Sequence, residues 1–207
     1  MALSFYLRDK NPDVAKAFEE FFGRQPNLDI AEGDVLEMDV SAIVMPLNSF
    51  GILNTGFGLE LNEHFGGKFE SRVRKLIQDK HAGELPVGAA DLIKSGVDSP
   101  SYIVLAPSIR VPPDRAPTAS ISSFLSTRAA LRCLAAHLRK EKQEGKDASI
   151  TSVAMVGMGT GTGRMAPAVA AFQMYEAYCQ IVLGREPNFA TIEAATAHHN
   201  ELKRSRF

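Results

Sequence analysis

The chain has 207 residues, 45% of them apolar, which is enough to bury one substantial core, so a single domain spanning 1–207 is expected. Its 23 basic residues nearly balance 24 acidic ones, and this charge gives no indication of a nucleic-acid partner. No apolar run approaches a membrane span, and the apolar start is too short for a signal peptide. Cys133 and Cys179 lack metal-type spacing, so we expect no metal site. Together these features lead us to expect a cytoplasmic protein with no membrane partner.

Along the chain, apolar periodicity changes repeatedly between that of strands and that of helices. This alternation predicts an α/β protein, a three-layer α/β/α sandwich with a central mixed sheet. The fully apolar run at 42–45 is typical of a central strand, whereas the run at 3–7 is interpreted as an edge strand. In the first half of the chain, the predicted elements are a strand at 3–7, a helix at 12–22, strands at 28–31 and 42–45, a loop at 48–58, and helical structure at 59–80 with a break at 66–67. In the second half they are strands at 89–93 and 102–106, a loop at 107–117, a helix at 121–142, a strand at 150–156, and helices at 166–183 and 189–203. The buried side of the helix at 121–142 is predicted to be marked by Leu125, Ala129, Arg132 or Cys133, and Ala136.

A glycine-rich loop, Gly157-Met-Gly-Thr-Gly-Thr-Gly163, follows the last predicted strand and precedes a helix. Alternate glycines let the backbone approach an anion and turn several N–H groups towards it, and the helix adds the positive end of its dipole. The hydroxyls of Thr160 and Thr162 and the guanidinium of Arg164 can add hydrogen bonds to a phosphate. The spacing fits neither a Walker A loop nor a dinucleotide fingerprint. Four alternate glycines cost too much backbone entropy for a plain turn, so a phosphate cradle is the favoured interpretation.

Two further segments follow predicted strands, the loop at 48–58 and the turn Gly33-Asp34-Val35. Loops at the carboxyl ends of strands in one sheet face a common crevice, where α/β folds bind ligands. A diphosphate held between two backbone loops is therefore the expected occupant. An aspartate after glycine is by itself an ordinary turn residue, and it becomes a candidate only beside the two loops.

In this order, the three segments resemble the macrodomain family. Gly33-Asp34-Val35 matches the family's first turn, and the strand at 41–48 matches its second motif, with Asn48 at the last asparagine. The segments at 54–58 and 159–163 match its two glycine-rich loops. The resemblance covers roughly 28–183, leaving an extra N-terminal strand and helix and an extra C-terminal helix. It implies a macrodomain-like fold that binds ADP-ribose, or a related NAD-derived nucleotide, without a required cofactor.

Roles follow from this resemblance by position. Asp34 would accept a hydrogen bond from the adenine amino group, Asn48 would hold the distal ribose, and the two loops would clamp the diphosphate. The ligand-binding residues that the resemblance implies are Asp34, Val35, Asn48, Asn54, Thr55, Gly56, Phe57, Gly58, Gly159, Thr160, Gly161, Thr162, Gly163 and Arg164.

Departures from the family pattern concern catalysis more than binding. Met45 replaces the first asparagine of the family's pair, and Asn54-Thr55-Gly56 replaces its usual triple glycine. Members that hydrolyse ADP-ribosylated protein often carry an aspartate where this chain has Gly58, and Arg164 stands where an aromatic residue is common. Binding is therefore better supported than any particular hydrolysis.

An enzymatic role nevertheless stays among the predictions. Glu60 and His64, four residues apart on one helical face, could activate a water near a ribose held by Asn48, although an ordinary exposed pair is the favoured interpretation. Three functions remain open: a hydrolase of ADP-ribosyl esters or ADP-ribose 1″-phosphate, a binding module for the nucleotide or for ADP-ribosylated protein, and a structural protein that has lost the ligand.

Overall fold

The structure is a computed structural model that describes residues 3–113 and 119–204, so part of the predicted loop at 107–117 lies outside the described residues. Strands and helices alternate along the chain in the predicted order. The strands are β1 (Ser4–Asp9), β2 (Leu28–Glu32), β3 (Ala42–Asn48), β4 (Asp91–Lys94), β5 (Tyr102–Ile109) and β6 (Ser152–Met155), and the helices are α1 (Pro12–Phe22), α2 (Gly56–His64), α3 (Phe69–His81), α4 (Ser122–Gln143), α5 (Pro167–Ile181) and α6 (Ile192–Leu202).

In the described part of the chain, these strands form one six-stranded sheet in the order β2-β1-β6-β3-β5-β4. Every neighbouring pair is parallel except β4 and β5, which pair antiparallel, so the sheet is mixed as predicted. The parallel strands end at the same edge of the sheet, and β1, β3 and β6 lie side by side there. This edge brings together the turn after β1, the loop after β3 and the glycine-rich loop after β6.

Each face of the sheet is covered by helices because neighbouring residues on the central strands point to opposite sides. On one face, Val44 and Val104 pack in a core with α1, α4 and α5. On the other face, Ile43 and Ile103 pack against α2 and α3, whose core side chains include Val73. The result is the three-layer α/β/α sandwich that the sequence predicts.

Helix boundaries follow local signals in the sequence. Asn11 caps α1 by accepting a hydrogen bond from the N–H of Asp13, and Pro12 occupies the first helical turn. The predicted break between α2 and α3 is confirmed, since both Gly66 and Gly67 adopt positive φ, a conformation that favours glycine.

Three predictions about the fold were wrong. The first strand is not at the edge of the sheet: β1 pairs with β2 on one side and β6 on the other, and β2 takes the edge. The predicted loop at 107–117 begins too early, because β5 continues to Ile109. The predicted buried side of α4 is displaced: Ala136 and Arg132 are exposed, and the residues that α4 buries are Ser123, Phe124, Ser126, Thr127, Ala130, Leu131 and Leu134.

The displaced face of α4 has a local cause. The hydroxyls of Ser123 and Ser126 donate to the carbonyl oxygens of Met158 and Pro107, so small polar side chains are buried without loss of their hydrogen bonds. These contacts hold α4 against β5 and against the segment that follows β6. Over residues 3–113 and 119–204, no helix is both long and apolar enough to cross a membrane.

Candidate functional site

A cavity of about 570 Å³ opens at the carboxyl edge of the sheet, above the ends of β1, β3 and β6. Its volume lies in the range typical of small-molecule sites. All three candidate segments reach its wall, although they are far apart in the sequence. The predicted site residues that line the cavity are Asp34, Val35, Asn48, Asn54, Thr55, Phe57, Gly58, Glu60, Gly159, Thr160, Gly161, Thr162 and Gly163.

Close packing or backbone conformation explains three of the four glycines in the loop at 157–163. A Cβ on Gly157 would lie 2.5 Å from Thr160 Oγ1, and one on Gly163 would lie 2.5 Å from the carbonyl oxygen of Gly159. Gly159 itself has a φ of +81°, which L side chains rarely adopt. Gly161 differs from these three: it is exposed, it lines the cavity, and a Cβ there would meet nothing within 4 Å. The fold does not require glycine at position 161.

The N–H groups of the loop differ in whether the chain itself supplies an acceptor for them. Gly157 donates to Asp9 Oδ2 at 2.9 Å, and Thr160 donates weakly to the carbonyl oxygen of Gly157. By contrast, within the part of the chain that the structure describes, no acceptor faces the N–H of Gly161, Thr162 or Gly163. Successive free backbone donors at the wall of a cavity form an anion-binding concavity.

The opposite wall adds the N-terminus of α2. Thr55 stands at the N-cap but makes no side-chain capping bond, so the first-turn N–H groups of this helix are uncapped and carry the positive end of its dipole. The two loops are in contact distance, because a Cβ on Gly56 would lie 3.3 Å from Thr162 Oγ1. An anion between the two walls would therefore be reached by backbone donors from both.

The side chain of Asn48 is occupied with its own loop. Its Oδ1 accepts hydrogen bonds from the N–H groups of Phe50 and Ile52 at 3.1 and 3.2 Å, and its Nδ2 donates to the carbonyl oxygen of Ile52 at 2.7 Å. The amide thus fixes the start of the loop after β3. One Nδ2 proton remains for a ligand.

At the other end of the cavity lies a cluster of charges around Lys10. Lys10 Nζ lies 2.7 Å from Asp34 Oδ2 and 2.8 Å from Glu60 Oε2, so one ammonium group joins the turn after β2 to α2. Asp34 Oδ1 accepts a hydrogen bond from the N–H of Leu36 at 2.9 Å. The hydrogen bonds from Lys10 to Asp34 and Glu60, with their negative charges, hold the pKa of Lys10 above its ordinary value, so the ammonium is charged at neutral pH.

Sequence reasoning missed Asp9 and Lys10. Asp9 Oδ2 accepts from Gly157, while its Oδ1 accepts from the N–H of Asn11, so this carboxylate ties the end of β1 to the glycine-rich loop. Both residues precede the segment that resembles a known family. The available signal was their position directly after a strand, at the edge where α/β folds bind ligands.

Arg110, also missed, lines the cavity beside the loop after β3. Its Nε and one terminal nitrogen donate to the two carboxylate oxygens of Glu84 at 2.8 and 3.0 Å, and its guanidinium lies 5.2 Å from the ring centroid of Phe50. Hydrogen bonding and attraction to Glu84 raise the pKa of Arg110.

Three predicted site residues do not line the cavity. His64 is exposed and stacks edge-on against Phe65, with ring centroids 5.1 Å apart. Arg164 is exposed just beyond the glycine-rich loop, and Gly56 is close to Thr162 but does not itself line the cavity.

Charge is distributed unevenly along the cavity. Of the acidic side chains in its wall, Asp34 and Glu60 pair with Lys10, whereas Asp9 accepts a hydrogen bond from Gly157 of the glycine-rich loop. Backbone groups of the glycine-rich loop and the first turn of α2 line other parts of the wall. The arrangement suits an elongated ligand with a hydrogen-bond-donating group at the Lys10 end and an anionic centre.

Comparisons with known proteins agree with this architecture. No family model matches the sequence. An uncharacterized protein of Aeropyrum pernix is 27% identical over 167 residues, which cover 81% of this chain and 78% of that protein. Among solved structures, the macrodomain of Mycobacterium tuberculosis DarG matches with a TM-score of 0.54 at 21% identity, over 72% of this chain and 88% of that chain. Thermosipho africanus DarTG in complex with ADP-ribose matches with a TM-score of 0.51 at 17% identity, over 76% of this chain and 38% of that chain.

The chain therefore has the macrodomain fold, and the resemblance that the sequence motifs indicate is confirmed in the fold. These structural matches, at sequence identities near 20%, establish the architecture alone. The ligand has to be argued from the cavity.

Proposed function

We propose that this chain binds ADP-ribose, or a closely related NAD-derived nucleotide, in the cavity at the carboxyl edge of the sheet. The observation that carries the proposal is the row of N–H groups at Gly161, Thr162 and Gly163, for which the described residues supply no acceptor, beside the uncapped N-terminus of α2. A diphosphate is the occupant that satisfies both walls at once, because its oxygens accept several hydrogen bonds over a short span.

Two further observations support the nucleotide. The cavity volume of about 570 Å³ accommodates a ligand of this class, and its wall includes Phe50, Ile52 and Phe57, which offer apolar surface to a sugar or base. In addition, the solved structure of Thermosipho africanus DarTG, which shares the fold, is a complex with ADP-ribose.

In the proposed orientation, the diphosphate lies between the two loops and the adenine lies at the end marked by Asp34. The carboxylates of Asp34 and Glu60 at this end disfavour a phosphate there, whereas an exocyclic amino group can donate to Asp34. The distal ribose then lies towards Asn48 and Arg110.

This orientation favours a binding module over a hydrolase. Glu60 is bound to Lys10 beside Asp34, at the adenine end, and His64 does not line the cavity. A general base must lie within hydrogen-bond reach of the water that it activates, and neither residue meets this condition for a bond at the distal ribose. Catalysis by Asn48, Glu60 and His64 stays a prediction, tested together with binding.

The test is a calorimetric titration of ADP-ribose into the wild-type chain and into two valine variants. Gly161→Val places a side chain in the cavity where the fold leaves open space, and Ala136→Val makes a similar change on the exposed side of α4. We expect Gly161→Val to abolish the binding heat with little change in unfolding temperature, and Ala136→Val to bind like the wild type. Absence of heat from the wild type with ADP-ribose, AMP and NAD would refute the proposal.

A parallel incubation with an ADP-ribosylated protein separates binding from hydrolysis. Binding without release of ADP-ribose is the expected result. Release that is lost in Glu60→Gln or His64→Ala would instead establish the hydrolase alternative. A chain that neither binds nor releases ADP-ribose would be the structural protein that has lost its ligand.

A further inference from the structure

Lys10 presents an unused hydrogen-bond donor to the cavity. An ammonium group has three protons, and two of those on Lys10 are directed to Asp34 and Glu60 at 2.7 and 2.8 Å. Among the residues that the structure describes, no acceptor is recorded for the third. Because Lys10 lines the cavity, a ligand can supply that acceptor.

Next to this donor, Asp34 has an acceptor site for which the described residues supply no donor. Its Oδ1 accepts from Leu36 and its Oδ2 accepts from Lys10, yet a carboxylate offers about four acceptor sites in all. The cavity therefore ends in a charged donor and a charged acceptor that are bonded to each other. Such a pair matches a ligand edge on which a donor and an acceptor stand side by side.

The position of this pair is fixed by its neighbours. Leu36 and Lys10 each hold one oxygen of Asp34, and Glu60 holds Lys10 from the opposite side of the cavity. Exposed ion pairs of this kind add little to folding stability, since 55% of the Lys10 side chain is exposed. Their consequence is geometric, because they limit the directions in which the ammonium group can donate.

We propose that Lys10 is a specificity-determining residue that reads the base together with Asp34, and that Glu60 is the positioning residue for Lys10. This inference rests on the proposed function. Adenine carries its amino group beside the ring nitrogen N1. The amino group donates to Asp34 while N1 accepts from Lys10. Hypoxanthine carries a carbonyl oxygen and an N–H at the same two positions, so acceptor meets acceptor and donor meets donor.

A diphosphate held between the two loops prevents the base from sliding to restore the match. The wrong base would then leave the donor of Lys10 and the acceptor of Asp34 without partners on the ligand, which weakens binding of the close analogue. The charge of Lys10 by itself attracts every nucleotide alike, so base reading appears in the ratio of two affinities and not in either one alone.

The experiment measures the affinities of ADP-ribose and inosine diphosphate ribose for the wild type, Lys10→Met, Lys10→Arg and Lys16→Met. Methionine keeps most of the length of the side chain and removes its donors, whereas arginine keeps the charge and the donors. Lys16 is exposed on α1 and does not line the cavity, so Lys16→Met is a matched control for the loss of one positive charge.

We expect the wild type to prefer ADP-ribose, and Lys10→Met to lower that preference by about tenfold, the effect of one hydrogen bond to a charged group. In Lys10→Met, the affinity that falls should be the affinity for ADP-ribose. The preference for ADP-ribose should be unchanged in Lys16→Met and intermediate in Lys10→Arg. Lys10→Met that weakens both nucleotides equally, or neither, would overturn the inference while leaving the proposed function in place. A wild type that binds neither nucleotide would overturn both.

A second variant covers the case in which Lys10→Met unfolds. Glu60→Gln leaves Lys10 intact but weakens one of its two anchors, and it should lower the preference for ADP-ribose by about threefold, less than loss of the donor itself. An unchanged preference in Glu60→Gln would show that Glu60 does not position Lys10.

Discussion

The two ends of the cavity's polar wall are built from different parts of the chain. At the loop of residues 157–163, the lining glycines offer only backbone groups to a ligand, and Gly157 and Gly163 pack closely on other residues of the loop. Around Lys10, they are side chains from three separate elements, joined by ion pairs. Backbone donors recognise charge and shape, whereas paired side chains can distinguish one base from another.

The largest expected effect is on folding stability, and it should differ between two nearby glycines of the loop, Gly163 and Gly161. Gly163→Ala would place Cβ 2.5 Å from the carbonyl oxygen of Gly159, and the backbone must shift, so we expect a loss of about 3 kcal/mol in the free energy of unfolding. Gly161→Ala should unfold like the wild type because its Cβ meets nothing within 4 Å. Chemical denaturation of both variants measures the difference. Equal destabilisation would mean that Gly161 is also required by the fold.

At the other end, Asp34→Ala should weaken adenine nucleotides by about 1.5–3 kcal/mol, the range for a hydrogen bond to a charged group. Asp29→Ala is the matched control, because Asp29 also pairs with a basic side chain, Arg8, but does not line the cavity. Calorimetry with ADP-ribose measures both. If Asp34→Ala binds as tightly as the wild type, Asp34 has no part in the site and the proposed orientation fails.

The smallest effect is expected from His64→Ala. His64 is exposed at the end of α2 and does not line the cavity, so its loss should change ADP-ribose affinity and folding stability by less than about 0.5 kcal/mol. The comparison with Glu60→Gln is informative because both residues were predicted as one pair on one helical face. A large loss of affinity in His64→Ala would mean that the cavity extends further along α2 than the structure shows.

The difference between the two ends also explains what sequence could predict. Gly157 to Gly163 are neighbours in the chain, so their pattern is visible in the sequence, and the strand before them and the helix after them were predicted correctly. Lys10, Asp34 and Glu60 meet only because β1 lies beside β2 and because α2 starts at the same edge of the sheet. Their separation in sequence conceals that cluster.

The wrong placement of β1 had a direct consequence for the site. The prediction of an edge strand at 3–7 named no neighbour for it, whereas the observed pairing of β1 with β6 brings Asp9 to the N–H of Gly157. The buried side of α4 was also predicted wrongly because contacts distant in the sequence determine it. Ser123 and Ser126 can be buried because their hydroxyls donate to carbonyl oxygens of Met158 and Pro107, which are distant in the sequence.

The central claim is that backbone N–H groups of the glycine-rich loop bind a diphosphate. Its most direct test is a titration of the ¹⁵N-labelled chain with ADP-ribose, followed through the amide resonances of the whole backbone. We predict that the largest changes occur at Gly161, Thr162 and Gly163, with further changes in the first turn of α2. Binding that leaves these amides unchanged, or no binding at all, would contradict the account.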